Sequence, residues 1–406
     1  MKQDKTYATR QPSWLRRAGI ATALFALSAT GALAQQPNAK IGLFLELTGG
    51  SASTTSEASQ FGVELAVKEI NAAGGIAGRK LDIVVADTQT DPTVGVGEIK
   101  RLIQQDKVDF VFGPVISQIL LAAAPVMNEA KVGAIGSTGS LSITPQSAPY
   151  YFSTLINAET QAKYVASEAG NVLKAKSVAI LSDTGAQAKD FVEAIKKELA
   201  ARNIKLTGTQ EYQYRATDMT PQLLALRRGK PDTLLLFASS GEDGGNAIKS
   251  LTELGWKIPV TGNWTIGAFA PMVEKIAGKE ALKTVTGANY RGFTYCEGGE
   301  KPKAFLDLVA KAKAADPARA ERSAMTFVSL FYDATYLLKA AVEGNGHKWD
   351  GPSIAAWIEA NAKSVPSVSG VYSASKTSHF LFDADAMVSV SPGERGEAGI
   401  ERRSKC

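Results

Sequence analysis

The sequence predicts an α/β protein built from two doubly wound parallel-sheet lobes. Three observations lead there. Short apolar runs alternate with stretches of helical periodicity, the alternation restarts near residue 177, and the chain is long enough for two cores.

The first series opens with the apolar strand Ile41–Leu45, followed by a polar loop of small residues from Thr48 to Ser56. A helix is predicted from about Glu57 to Ala73, with Phe61, Leu65, Ala66 and Ile70 on one face, stopped by Gly74-Gly75. Leu81–Ala86 reads as a buried strand ending in the turn Asp87…Asp91-Pro92, and a helix runs from Thr93 to about Gln105. The strand Val108–Phe112 breaks at Gly113-Pro114; a helix through Leu120–Ala130 then leads to the strand Val132–Ile135. Tight β-α-β connections of this kind call for a parallel sheet with helices on both faces.

The second series repeats the order. Strands are predicted at Ser177–Leu181, Lys205–Gln213, Asp232–Phe237 and Pro259–Gly262, with helices at Ala188–Ala201, Thr220–Arg228 and Gly244–Leu254 between them. Three more helices follow, around Lys303–Ala314, Ala324–Glu343 and Ser353–Ala362. The broad apolar face of the second (Phe327, Leu330, Phe331, Ala334, Leu337, Leu338) belongs in a core, and its aromatics are packing residues by default. Ligands of doubly wound sheets bind beyond the carboxyl ends of the strands, so two facing lobes put the site in the cleft between them.

The amino terminus reads as a secretory leader. Lys2, Lys5, Arg10, Arg16 and Arg17 precede an apolar run from Ala18 to about Leu33, which closes on Ala32-Leu33-Ala34. The run is short and rich in Ala, Thr and Gly, which disfavours a retained membrane anchor. Arg16-Arg17 raises the twin-arginine route, although Ala18-Gly19-Ile20 continues it poorly. Removing residues 1–34 leaves 372 residues carrying 40 basic and 39 acidic side chains, so the basicity belongs to the leader and no nucleic-acid footprint remains. The expected localisation is periplasmic. Cys296 and Cys406 are the only cysteines, and their pairing is left open because Cys406 ends a tail expected to be mobile. His347 and His379 are isolated, so no metal or other cofactor is expected.

The run Phe61-Gly-Val-Glu-Leu-Ala-Val-Lys-Glu-Ile-Asn-Ala-Ala-Gly-Gly-Ile-Ala-Gly-Arg-Lys-Leu81, with Val85-Ala-Asp87 and Asp91-Pro92, resembles the branched-chain-amino-acid type of periplasmic binding protein. Supporting matches are Val111-Phe-Gly-Pro114 with Ser117, Gly136-Ser-Thr-Gly-Ser140 and Phe331-Tyr-Asp-Ala-Thr-Tyr336. The resemblance implies the type I periplasmic fold, with lobes joined by a three-crossover hinge near 156–160, 287–291 and 367–371. Lobe 1 is then 35–158 with 290–368, and lobe 2 is 159–289 with 369–406. It also implies ligand capture by hinge closure and delivery to an ABC permease powered by separate ATPase subunits, by a protein working as a monomer. No Gly-x-x-x-x-Gly-Lys-Ser/Thr loop is present in this chain itself. The disulfide that the family often carries between loops near Thr90 and Ile116 has no cysteines here.

By the same resemblance, a ligand carboxylate is held in lobe 1 at Ser117, Thr138 and Ser140. Such Gly/Ser/Thr loops at helix starts also suit an anion on physical grounds, though Ser137–Ser140 could equally serve as helix caps. In lobe 2 the corresponding positions are Gln187, Ser239 and Trp264. Trp264 stands where the family places an acid for the ligand's ammonium, and its indole suits a ring or chain better, unless it serves lobe packing. Glu46, Glu242 or Asp243 could supply the missing charge. Two readings stay open: a carboxylate without an α-amino group, such as an aromatic acid, or an amino acid whose ammonium is met from another direction. No nucleophile elbow, metal spacing or dinucleotide fingerprint points to an enzyme, while a sensory role presenting the closed form to a membrane receptor stays open.

Overall fold

The computed structural model describes residues 1, 3, 37–49, 53–396, 400–404 and 406. The expected leader, with its apolar run and cleavage site, lies outside the described residues. All the described helices and strands belong to the compact unit Asn38–Cys406.

The first series forms β1 (Ala39–Leu45), α1 (Ser53–Ala72), β2 (Leu81–Asp87), α2 (Pro92–Arg101), β3 (Phe110–Phe112), α3 (Ser117–Ala130), β4 (Gly133–Gly136) and β5 (Tyr151–Ser153). Its strands make a five-stranded parallel sheet in the order β2-β1-β3-β4-β5. Local chemistry sets the boundaries. Asp91 caps α2 by accepting the N–H groups of Thr93 and Val94, with Pro92 in the first turn. Gly74 and Gly75 leave α1 at positive φ, 103° and 88°. The polar loop after β1 is shorter than predicted, because α1 begins at Ser53.

The second series forms α4 (Ala158–Ser167), β6 (Ser177–Asp183), α5 (Ala186–Ala201), β7 (Lys205–Tyr212), α6 (Thr220–Arg227), β8 (Thr233–Phe237), α7 (Gly241–Glu253), β9 (Val260–Gly262), α8 (Trp264–Ala268), α9 (Ala270–Ala277), β10 (Val285–Tyr290) and β11 (Thr294–Tyr295). Here the parallel order is β7-β6-β8-β9-β10, the arrangement of the first sheet repeated. The chain continues through α10 (Lys303–Ala315), α11 (Pro317–Arg322), α12 (Met325–Gly344), α13 (Gly351–Asn361), β12 (Met387–Arg395) and β13 (Glu401–Arg403).

The last two strands depart from the sequence reading. β12 pairs antiparallel with β10, and β13 runs between β12 and β11, extending the second sheet to eight strands. Cys406 is bonded to Cys296, their Cα atoms 5.9 Å apart, so the tail expected to be mobile is fastened to the sheet edge.

Two crossovers also fall later than expected. β11 still pairs in the second sheet at 294–295, and Phe380 still bridges Ser153 of the first. The chain therefore changes sheets after β5, between Tyr295 and Lys303, and between Leu381 and Met387. Tyr290 fastens the junction by donating its hydroxyl to the Thr154 carbonyl at 2.7 Å. Buried Asp333 holds the returning segment by accepting from the backbone N–H groups of Val368 and Ser369.

In the first lobe, α1 and α12 pack face to face against the sheet. Their approach is close enough that a Cβ on Gly62 would fall 2.2 Å from the Val328 carbonyl oxygen. Phe331 of α12 meets Phe112 of β3, their ring centroids 6.4 Å apart.

Candidate functional site

In a sheet of order 2-1-3-4-5 the connections leaving strands 1 and 3 diverge to opposite faces and open a crevice at their carboxyl ends. Here those strands are β1 and β3 in one lobe, β6 and β8 in the other. A cavity of about 40 Å³ lies where the segments beyond them meet. Its walls include Val115 to Gln118 after β3, Ala186 and Gln187 after β6, Ser239 after β8, and Trp264 after β9. The starts of α3, α5 and α7 converge on it, so the positive ends of three helices of 14, 16 and 13 residues face one small volume.

Four of the six predicted site residues therefore line one cavity: Ser117, Gln187, Ser239 and Trp264. Thr138 and Ser140 do not. The Thr138 hydroxyl turns into its own lobe, 3.0 Å from the Tyr151 hydroxyl, while its N–H donates to Ser153 Oγ. Ser140 donates to Asp190 Oδ2 at 2.6 Å, and the Leu141 N–H meets the same oxygen at 2.8 Å. Ser140 is thus an inter-lobe latch here. Ser137, the neighbour of Thr138, lines the cavity instead, with a buried hydroxyl that has no hydrogen-bond partner. Gln187 Nε2 is likewise buried and unpartnered. The Gly136–Ser140 run is legible in sequence as a site loop, but which of its side chains faces the cleft depends on the twist of the loop after β4.

The lobes are closed on one another. Thr54 Oγ1 donates to Glu242 across the cleft at 2.8 Å, and Trp264 packs on Phe327 of α12, their centroids 5.2 Å apart. Phe327, read from sequence as a packing residue, is also part of the cavity wall. Gly139 meets the end of the Gln187 side chain across the cleft, where a Cβ would fall 2.2 Å from Nε2.

None of the acids considered as partners for a ligand ammonium lines the cavity. Glu46, fully buried, accepts the N–H groups of Val115 and Ile116, at 3.1 and 3.3 Å, and the Ser56 hydroxyl. Two N–H groups ahead of α3 are thereby satisfied within the protein, not held free for a ligand. Glu242 takes the Thr54 hydroxyl, and Asp243 takes the Arg215 N–H at 3.1 Å through Oδ1, while its Oδ2 is buried without a hydrogen-bond partner. Asp183 at the end of β6 mirrors Glu46: its two oxygens accept the N–H groups of Gly185 and Ser239, at 2.8 and 2.9 Å. Sequence reasoning missed Asp183, although its place at the end of a central strand, two residues before a glycine that opens a helix, was a usable signal.

Burial pushes these carboxyls up: Glu46 to about 7, Asp183 to about 6, Asp243 to about 7 and Asp333 to about 6. A raised carboxyl keeps in the folded state a proton that the unfolded chain releases. Its contribution to stability is therefore complete below the unfolded value, near pH 4, and is lost as pH rises through the folded value. Glu69, Asp87, Asp232 and Asp350 are held low by hydrogen bonds despite partial burial, and act the other way below about pH 4. The melting temperature is thus expected to fall by a few degrees between about pH 5 and about pH 8, and Glu46→Gln to flatten that slope. Calorimetry across that range checks it; a melting temperature that rises toward pH 8 would count against the buried acids as the cause.

Two sheets of one strand order facing each other across a cleft, with helix starts and an indole at the junction, define a two-lobed ligand-binding fold. The chain belongs to the periplasmic binding protein family, whose model matches residues 38–393. Among its relatives is a Leu/Ile/Val-binding protein of Rhizobium johnstonii, 26% identical over 81% of this chain and 85% of that one. A Leu/Ile/Val-binding protein homologue of Brucella melitensis is 25% identical over 83% of this chain and 87% of its own length. The fold superposes on the branched-chain amino acid transporter substrate-binding protein LivJ of Streptococcus pneumoniae in complex with isoleucine (TM-score 0.74, 22% identity, covering 90% of this chain and 99% of that one). It also superposes on a Rhodopseudomonas palustris ABC transporter solute-binding protein in complex with 4-hydroxybenzoate (TM-score 0.77, 18% identity, covering 91% and 96%).

Proposed function

We propose that this chain is the periplasmic solute-binding component of an ABC importer and that it captures a small aromatic or aliphatic carboxylate without an α-ammonium group. The observation that carries the ligand class is the cavity wall. It offers helix starts, the Ser117 and Ser137 hydroxyls, Gln187 and the Trp264 indole, but no carboxylate. An ammonium enclosed there would lose its hydration without a countercharge, which costs several kcal/mol. A carboxylate finds positive helix ends, and an aromatic ring finds Trp264 and Phe327. The 4-hydroxybenzoate held by the Rhodopseudomonas palustris protein supports this class; the isoleucine of the Streptococcus pneumoniae protein stands for the other.

In this reading the lobes move about the segments 154–157, 296–302 and 382–386. A cavity of about 40 Å³ has room for only two or three waters, so solute enters an opened cleft and the lobes draw together around it. Closure is then what the permease recognises. Residues 1–34 direct export and are removed, and the Cys296–Cys406 bond suits the oxidising compartment that the exported chain reaches. Thr138 and Ser140 act from behind the site, one shaping the loop and one latching the lobes.

A thermal-shift screen of residues 35–406 tests the ligand class. Benzoate-type acids are expected to raise the melting temperature, by an amount that grows with concentration above the dissociation constant, while leucine, isoleucine and valine do not. Shifts with the amino acids alone would overturn it. Loss of solute uptake on deleting the gene, restored by the wild-type chain, separates transport from a sensory role.

A further inference from the structure

The second crossover leaves the second sheet at β11 and enters lobe 1 at α10. It is the longest of the three, residues 296–302 against 154–157 and 382–386. Its first half, however, is fastened to lobe 2. Cys296 is bonded to Cys406, just beyond β13. The Gly299 N–H donates to the Cys296 carbonyl at 2.9 Å, with Gly298 at φ 74°, so the chain turns back on the bonded residue. Arg402 of β13 pairs with Glu297. Residues 300–302 are then what remains to span from one lobe to the other.

The strand that carries the bond is a firm anchor. Arg403 donates through Nε to the Thr294 hydroxyl at 2.9 Å and through Nη2 to the Arg291 carbonyl at 3.0 Å. Among the ties on the crossover itself, the covalent one dominates, because the Arg402–Glu297 pair is exposed and such pairs contribute little. Position adds leverage. The third crossover enters β12, and the first passes beside β10, whose Tyr290 hydroxyl reaches the Thr154 carbonyl. Two short crossovers set an axis about which the lobes can turn. In the order β11-β13-β12-β10, Cys296 at the end of β11 lies two strands beyond β12, about 10 Å away. A taut crossover at that distance opposes rotation about the axis, and a slack one does not. Side-chain packing restrains the lobes less on this side, because a cavity of about 690 Å³ stands between α10–α12 and the residues of β10 and β13.

We propose that the Cys296–Cys406 bond is an opening stop for the hinge: by shortening the second crossover it limits how far, and how often, the lobes part. This rests on the lobe motion proposed above and adds a restraint to it. Without the bond the crossover spans seven residues instead of three. Bringing the longer span to the fixed length of the closed form is about three- to fourfold less favourable, and the closed form loses that factor against the open one.

Small-angle X-ray scattering of solute-free protein, residues 35–406, tests it on three chains. They are the wild type, Cys296→Ser/Cys406→Ser, and a variant with four glycines inserted between Glu300 and Lys301, which keeps the bond and restores a span of seven residues. Both variants are expected to show a larger radius of gyration than the wild type. Each is also expected to bind the solute found by the thermal-shift screen about three- to fourfold more weakly. A bond that merely stabilised lobe 2 would lower the melting temperature of the serine pair and leave the insertion variant's radius and affinity at wild-type values. The proposal is overturned if either variant, folded by circular dichroism, scatters as the wild type does or binds the solute as tightly. The insertion variant decides by itself if the serine pair fails to fold. Scattering needs no solute, so a failed ligand screen, which would count against the proposed ligand class, leaves this test standing.

Discussion

Gly62→Ala is expected to destabilise the protein by about 2–3 kcal/mol, against the usual sign for a glycine-to-alanine change inside a helix. Ordinarily alanine adds up to about 1 kcal/mol to a helix by restricting the unfolded chain. At Gly62 the new methyl would lie 2.2 Å from the Val328 carbonyl oxygen and 3.0 Å from the Tyr332 nitrogen. Both are backbone atoms of α12, which cannot swing aside as a side chain could. The whole of α1 must therefore lift from α12, opening the interface that builds the first lobe. Gly97 supplies the control. It lies in the exposed face of α2 with no atom within 4 Å of a would-be Cβ, so Gly97→Ala should be neutral or stabilising. Urea unfolding of both variants gives the comparison, and equal effects at the two positions would refute the packing argument.

Asp183→Ala is expected to weaken solute binding by roughly 30- to 100-fold, although Asp183 does not line the cavity. Its two oxygens hold the Gly185 and Ser239 N–H groups, and with them the entrances to α5 and α7. Removing the carboxyl leaves two buried donors unpaired, at about 1–3 kcal/mol each, and frees Gln187 and Ser239 to drift from their positions. Asp183→Asn keeps one acceptor and is expected to lose less, near tenfold. Calorimetry with the solute found by the thermal-shift screen, together with circular dichroism to verify folding, makes the test. Full affinity in a folded Asp183→Ala protein would remove the carboxyl from any positioning role.

Much of the fold could be read along the chain because a parallel α/β lobe is written locally. Each strand is a short apolar run and each crossover helix has its own caps, as Asp91-Pro92 does for α2. Ser117, Gln187, Ser239 and Trp264 could be found for a related reason: each sits shortly after a strand's carboxyl end, where the topology gathers residues from distant parts of the chain. What could not be read depends on direction or on remote pairing. Thr138 and Ser137 differ only in which way the loop turns them. Glu46 looks like a free acid in sequence, yet it is spent on the N–H groups of Val115 and Ile116, about seventy residues away. The tail from Met387 carries strands whose partners, β10 and β11, lie roughly a hundred residues earlier, and no local periodicity announces such pairings.

The interleaving of the two lobes bears on how the protein is made. Tyr332 of α12 bonds to Glu69 of α1 across 263 residues, and Glu401 of β13 bonds to Asn289 of β10 across 112. Synthesis delivers the amino-terminal end first, so α1 waits for α12 until more than three-quarters of the polypeptide exists. The parallel strands of the second sheet are complete at Tyr290, and β12 and β13 join its edge only at the end of the chain. Both lobes thus receive their last elements only after most of the chain has been made.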